Sequence, residues 1–225
     1  MVHLLSTKQL SPYQIQLFSQ AGFSVEAMSF IEIIPQRDIP PFQPSDFYLF
    51  TSQNAFLSLI ENPIYKIISS KKAFCVGEKT KKLLKNNHWN VIASFEYAHE
   101  LGSYLIDQYQ EASFTLFCGD RRLDTLPNIM KKNKIKFQEI LTYRTLLTPI
   151  KVEKLFDGIL FFSPSAVESF LQVNHFRDEH IFCIGSTTQK ALPKEINSYL
   201  AKTPTIESVQ ECCINIFKKT KNDKK

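Results

Sequence analysis

The sequence predicts an α/β protein of two similar doubly wound parallel-sheet domains, joined by a two-stranded β-ladder with a cleft between them. Three observations predict it. Short apolar runs alternate with longer amphipathic ones, the pattern of strands and helices in parallel sheets. The chain repeats itself: Asp46–Phe56 matches Asp157–Val167 at an offset of 111 residues, and Ala73–Leu83 matches Ile181–Ala191 at an offset of 108. The second copy then ends early, and the only strand–helix–strand left to complete it is the N-terminal one. Such a repeat, once seen, governs the choice of fold.

The elements follow in order. His3-Leu-Leu5 reads as a strand. Ser11-Pro12 opens a helix by an N-cap and a proline in the first turn, and Gly22 closes it. The run 24–33 reads as one strand. Ile39–Pro44, with three prolines, is a linker. Strands follow near 47–51, 73–76 and 91–93, then a helix over 99–109. A strand at Phe114–Cys118, a helix over Leu126–Asn133 and a strand over Lys136–Tyr143 complete the first copy. The second copy supplies strands near 158–162, 180–184 and 198–201 and a last helix over 206–217. One domain is therefore continuous, 40–145, and the other is assembled from 1–35 and 150–225. The chain crosses between them near 31–39 and 141–149. The segments Ile31–Pro35 and Leu141–Leu147 are extended and β-branched, which suits a paired ladder.

Composition narrows the function classes. Of 225 residues, 44% are hydrophobic and 22% charged, which fits a globular chain and excludes wholesale disorder. No apolar run approaches the ~18 residues of a membrane span, and MVHLLSTKQL does not read as an export signal. The net charge of +5 sits mostly in a basic tail, 218–225, which holds five Lys and one Asp. The remainder is nearly neutral, with no basic face for nucleic acid legible in it. Cys75, Cys118, Cys183, Cys212 and Cys213 form no CxxC, and three lie in strand-like runs where they act as small hydrophobes. A cytoplasmic setting fits. His3, His88, His99, His175 and His180 are scattered, so no metal site is expected. A monomer is the expectation.

Ligands of open parallel sheets bind beyond the carboxyl ends of the strands. Those ends are Thr51-Ser52, Gly77-Glu78-Lys79-Thr80, Gly119-Asp120-Arg121-Arg122, Ser163-Pro164-Ser165 and Gly185-Ser186-Thr187-Thr188. Three of the six glycines fall there. Each turn leads into a helix N-terminus, where free N–H groups and hydroxyls favour carboxylates or phosphates. A Ser or Thr in such a place also serves as a plain N-cap. GxGxxG, GxxxxGK[ST] and GxSxG are absent, which argues against dinucleotide, P-loop nucleotide and nucleophile-elbow chemistry. Chemistry here would rest on positioning and oriented dipoles.

Tyr143 lies in a crossing segment. A phenol there can donate a proton or hydrogen bond to a ligand in the cleft, or simply pack on a linker. Arg121 and Arg122 can pair with ligand carboxylates or stand in solvent. No pair of carboxylates recurs in the strand-end turns, although Glu78, Asp120 and Asp124 could line one domain's face.

These residues resemble those of the uroporphyrinogen-III synthase family. The resemblance lies in FTSQNA (50–55), CVGEKT (75–80), LFCGDRRLDTLP (116–127), LTYRT (141–145), FFSPSAV (161–167), CIGSTTQKAL (183–192) and TPTIESV (203–209), in the family's order. It implies two α/β domains with the active site in the cleft, a hydro-lyase acting in haem biosynthesis, and no cofactor. The implied substrate is hydroxymethylbilane, a linear tetrapyrrole with carboxylate arms. The implied catalytic residue is Tyr143. The implied substrate-binding residues are Thr51, Ser52, Gly77, Lys79, Thr80, Gly119, Arg121, Ser163, Pro164, Ser165, Gly185, Ser186, Thr187 and Thr188. Glu78-Lys79 departs from the small residues frequent there, and Glu78 would repel a carboxylate unless it points away. The competing reading is a non-catalytic tetrapyrrole- or anion-binding protein on the same scaffold.

Overall fold

A computed structural model of the protein describes residues 1–68 and 71–222. The end of the basic tail, 223–225, lies outside the described residues. In chain order the elements are β1 (Val2–Ser6), α1 (Pro12–Gln20), β2 (Phe23–Ala27), β3 (Ile31–Pro35), β4 (Phe47–Phe50) and α2 (Gln53–Ile60). A 3-10 turn (Pro63–Ile67) leads to β5 (Lys72–Val76), α3 (Glu78–Asn86), β6 (Asn90–Phe95), α4 (Ala98–Gln108), β7 (Ser113–Gly119), α5 (Thr125–Lys132) and β8 (Lys136–Leu147). Then come β9 (Gly158–Phe161), α6 (Pro164–Leu171), β10 (His180–Cys183), α7 (Ser186–Gln189), β11 (Ser198–Leu200) and α8 (Ile206–Asn222).

The chain divides into two compact units, Met1–Glu32 with Leu146–Lys225, and Ile33–Thr145. The first contains a sheet of order β11-β10-β9-β1-β2, and the second a sheet of order β6-β5-β4-β7-β8 extended by β3. The five-strand orders coincide when β1 and β2 stand in for β7 and β8. The N-terminal strands of the first unit thus occupy the places that the second unit fills in unbroken sequence. Within each five-strand set the neighbours pair in parallel.

Parallel strands buried on both faces need apolar residues at nearly every position, and β4 (FYLF) and β9 (GILF) supply them. In the first unit one face packs Phe18 of α1 with Val209 and Cys213 of α8, and the other packs Val167 and Phe170 of α6. In the second unit Phe56, Leu59 and Leu84 cover one face, and Leu101, Leu105 and Met130 the other. Trp89 anchors an aromatic cluster with Tyr48, Phe50 and Phe56, and its indole N–H donates to the Tyr65 hydroxyl at 3.1 Å.

A pair of equivalent aspartates ties strand heads together. Asp46 accepts from the backbone N–H of Ser113 at 2.8 Å and from its hydroxyl at 2.7 Å. Its counterpart Asp157 accepts from the backbone N–H of His3 at 2.7 Å, fastening β1 to β9 across 154 residues of chain.

Two expectations are corrected. The run 24–33 is not one strand: β2 ends at Ala27 and β3 begins at Ile31. Phe30 is wholly buried against Phe170, and its N–H and C=O bond Thr7 and Thr148. The chain therefore turns out of the first sheet at a core residue, with no Gly or Pro to signal it. The paired crossing strands also do not stand alone. β3 and β8 are neighbours, but β8 is the longest strand of the second unit's sheet and β3 its edge.

Candidate active site

Carboxyl ends of parallel strands share one edge. In the second unit this edge carries Thr51 and Ser52 after β4, Gly77 after β5 and Gly119 at the end of β7. In the first unit it carries Ser163–Ser165 after β9 and Gly185–Thr188 after β10.

The turns divide into two kinds. Ser52 and Ser163 are true N-caps: Ser52 Oγ accepts from the N–H of Asn54 at 3.1 Å, and Ser163 Oγ from Ala166 at 3.1 Å. Ser163 Oγ also lies 3.1 Å from Ser165 Oγ. Gly77 and Gly185 are N-caps without a side chain, so no cap bond closes the first turns of α3 and α7. Amides of that kind take water or a ligand as partner. Gly77 stands at φ +88°, a left-handed conformation suited to glycine. Gly185 does not, since its φ of −163° is extended backbone open to any residue. What distinguishes Gly185 is space, with no atom within 4 Å of a Cβ placed there.

Side chains sort as clearly. Thr80 and Thr188, equivalent in the repeat, are 4% and 2% exposed, so their hydroxyls are withdrawn from solvent. Lys79, Arg121, Pro164, Ser186 and Thr187 reach solvent to differing degrees, and Thr51 is half-buried. Glu78 pairs with Lys81 at 3.5 Å along α3. Arg122 is engaged by Asp124 and Glu139, and Lys131 joins Glu139 at 3.7 Å. The Arg122 guanidinium is thus occupied within the protein and ties the turn after β7 to β8.

Tyr143 has the most particular setting. The β7–β8 register runs Cys118↔Leu141 and then Gly119↔Tyr143, skipping Thr142. Ile140 and Tyr143, three residues apart, would lie on opposite faces of an unbroken strand. The extra residue at Thr142 brings both to the same face, where they pack on the Phe50–Phe117 cluster. Thr142 is wholly buried and its hydroxyl donates to the Cys118 carbonyl at 3.2 Å. The Tyr143 ring then lies over Gly119, where any side chain would collide with it. Its hydroxyl is 3.3 Å from Ser52 Oγ. Burial pushes the phenol above its ordinary value, the Ser52 hydrogen bond pulls it down, and the Cys118 and Asp120 charges raise it again. The phenol is therefore held protonated at neutral pH, as a donor must be.

Sequence reasoning placed Asp120 on the ligand-facing edge without a role, and missed Thr142. A glycine followed by aspartate at a strand end was the one signal for the first, and a bulge in a parallel pair leaves none. All five cysteines are free thiols. Burial holds Cys75 and Cys118 at about 11 and Cys183 at about 12, so they are inert as nucleophiles at neutral pH. Among the described residues no group of His, Cys, Asp and Glu is placed to hold a metal ion. No helix there is long and apolar enough to cross a membrane.

Units with strand orders related by a permuted repeat, each with an uncapped strand-end turn of the kind that suits anions, define an α/β protein of paired, similar sheets. The chain belongs to the uroporphyrinogen-III synthase family, whose profile, described as Uroporphyrinogen-III synthase HemD, matches residues 14–211. Its fold is similar to the crystal structure of uroporphyrinogen-III synthetase from Helicobacter pylori 26695. That likeness has a TM-score of 0.73 at 20% identity over 96% of this chain and 100% of the other. It is also similar to a mutant uroporphyrinogen III synthase from the extremely thermophilic bacterium Thermus thermophilus, with a TM-score of 0.65 at 15% identity over 97% and 100% of the two chains. At these identities the likeness is one of fold. No curated protein matches the sequence.

Proposed function

We propose that the protein is a lyase that converts hydroxymethylbilane to uroporphyrinogen III, with loss of water and inversion of ring D. The observation that supports this most directly is the protonated, half-buried phenol of Tyr143, held on Ser52 in a chain of this family. The phenol gives its proton to the departing hydroxymethyl oxygen, which leaves as water. The ring D α-carbon that carries the bridge to ring C attacks the methylene so formed, giving a spiro intermediate. Its bond to that bridge then breaks and the bridge carbon bonds the free α-carbon of ring D instead, which closes the ring with ring D inverted. The ring carbon's proton is lost at the end, so atoms balance as the release of one water.

This is a problem of positioning and proton transfer, and no cofactor or metal enters it. The carboxylate arms meet the uncapped amides after Gly77 and the donors Thr51, Ser52, Lys79 and Arg121. The first unit offers the same chemistry at Ser163, Pro164, Ser165, Gly185, Ser186 and Thr187. Thr80 and Thr188 contribute through backbone N–H groups rather than hydroxyls. The protein works as a cytoplasmic monomer, without nucleic-acid or membrane partners.

The test is to supply purified protein with fresh hydroxymethylbilane and resolve the cyclic isomers after oxidation. The III isomer is expected. Only the symmetric I isomer, the product of uncatalysed closure, from folded protein would overturn the reading.

A further inference from the structure

Just after the bulge that aims Tyr143, β8 loses its partner strand on one side. β7 ends at Gly119, while β8 continues to Leu147. β3 flanks the other edge of β8, but on the β7 side, beyond Gly119, the backbone around Tyr143 is held by Asp120. The Asp120 N–H donates to the Tyr143 carbonyl at 3.3 Å. The Asp120 Oδ1 accepts from the Thr145 N–H at 2.9 Å. A single aspartate therefore brackets residues 143–145, its carboxylate standing in for the strand that has stopped. The turn that carries it is itself fixed. The Arg122 N–H donates to the Gly119 carbonyl at 3.3 Å, and the Arg122 guanidinium is bound by Glu139 on β8.

We propose that Asp120 is a positioning residue for Tyr143: by clamping Thr145 it sets the backbone from which the phenol reaches Ser52. The proposal rests on the catalytic reading of Tyr143. Asp120 reaches no reacting atom in this account and acts through the tyrosine alone. Its charge also bears on the phenol, which faces Asp120, Cys118 and Ser52. Burial holds Cys118 at about 11, and both it and Asp120 oppose ionisation of the phenol.

Asn can still accept from the Thr145 amide at this position, whereas Ala cannot. Asp120→Ala is expected to lower kcat about tenfold with KM little changed, since a small misplacement of a reacting group is costly. Asp120→Asn is expected to keep kcat within about twofold, because the accepting oxygen remains. In Asp120→Asn the phenol titration is expected to move to lower pH, because a carboxylate that opposed ionisation is gone. In a Tyr143→Phe background, Asp120→Ala is expected to have no further effect on kcat.

The two readings fail separately. If Tyr143→Phe turns over like the parent, the tyrosine's role falls and this proposal with it. If Tyr143→Phe is slow but Asp120→Ala is not, the proposal alone falls. It also falls if the two losses multiply, or if Asp120→Asn is as slow as Asp120→Ala. Should Asp120→Ala fail to fold, Asp120→Asn and its phenol titration decide the matter.

Discussion

Gly119 and Tyr143 share one volume: a Cβ on Gly119 would meet the tyrosine's Cε2 at 2.5 Å and its hydroxyl oxygen at 2.7 Å. Gly119 is a buried residue in a strand, where glycine otherwise only weakens the structure. Its presence is explained by the ring laid across it. Gly119→Ala is expected to displace the phenol from Ser52 and to cut turnover by about tenfold or more, while circular dichroism stays that of the folded protein. Parental turnover in a folded Gly119→Ala protein would show that the phenol's place is not critical.

Tyr143→Phe keeps the ring over Gly119 and removes the donor. Turnover is expected to fall by about 10²-fold, the usual scale of a general acid, with the melting temperature nearly unchanged. An ultraviolet difference titration of parent against Tyr143→Phe is expected to place the phenol's midpoint above the ordinary 10.0. The folded state keeps this proton longer than the unfolded one, so the contribution is whole below about pH 10 and is lost as pH rises past it.

Lys134 stands at φ +57° after α5, and His88 at φ +62° after α3. Both helices end in the same way. The Ile135 N–H reaches back to Met130 at 3.0 Å and the Trp89 N–H to Leu84 at 3.1 Å, each pair apolar and buried. This is the Schellman ending, in which glycine is the favoured residue. The first unit has Gly22 in the place equivalent to Lys134, at φ +84°. Lys134→Gly is expected to raise stability by about 1 kcal/mol, the scale of the left-handed penalty, as read by urea unfolding. A loss of stability would mean that the lysine side chain contributes more than its backbone strain costs.

Asp157→Ala removes the acceptor that fastens the His3 amide to β9. Hydrogen exchange is expected to quicken in β1 and β2 well before β4 and β5. Uniform exchange in both units would count against a local fastening. The equivalent Asp46 carries a pH signature. Hydrogen bonds from Ser113 lower its pKa below the ordinary 3.8, so its contribution is present above that value and lost as pH falls below it. The carboxylate is well solvated, so the effect is small.

Much of this was legible in the residues. The internal repeat announced two similar sheets, and the strand cores FYLF and GILF fall where the runs predict. Tyr143 stood out because a phenol in a crossing segment either meets a ligand or packs on a linker, and the residues alone left the two even. What escaped was encoded by nothing local. Met28 and Phe30 continue the apolar run of β2, so the break before β3 is visible only from the core that Phe30 enters. The bulge at Thr142 leaves no signature in composition. Thr80 and Thr188 read as solvent-facing donors because burial of a hydroxyl depends on which way a helix rolls, and a four-residue fragment does not fix that.

The permuted strand order also sets a timetable for synthesis. Once residue 147 has left the ribosome, every strand of the six-membered sheet exists, and that sheet can form at once. β1 and β2, made before it, can pair with each other but not complete their sheet: β1 must also pair with β9, which is translated about 150 residues later. This segment thus waits through the synthesis of the whole six-stranded sheet for the neighbour that completes its pairing, and until then Leu4 and Leu5 lack the packing that β9 supplies. Ribosome-arrested chains ending near residue 185 should protect the amides of β4 and β7 while leaving those of β1 open to exchange.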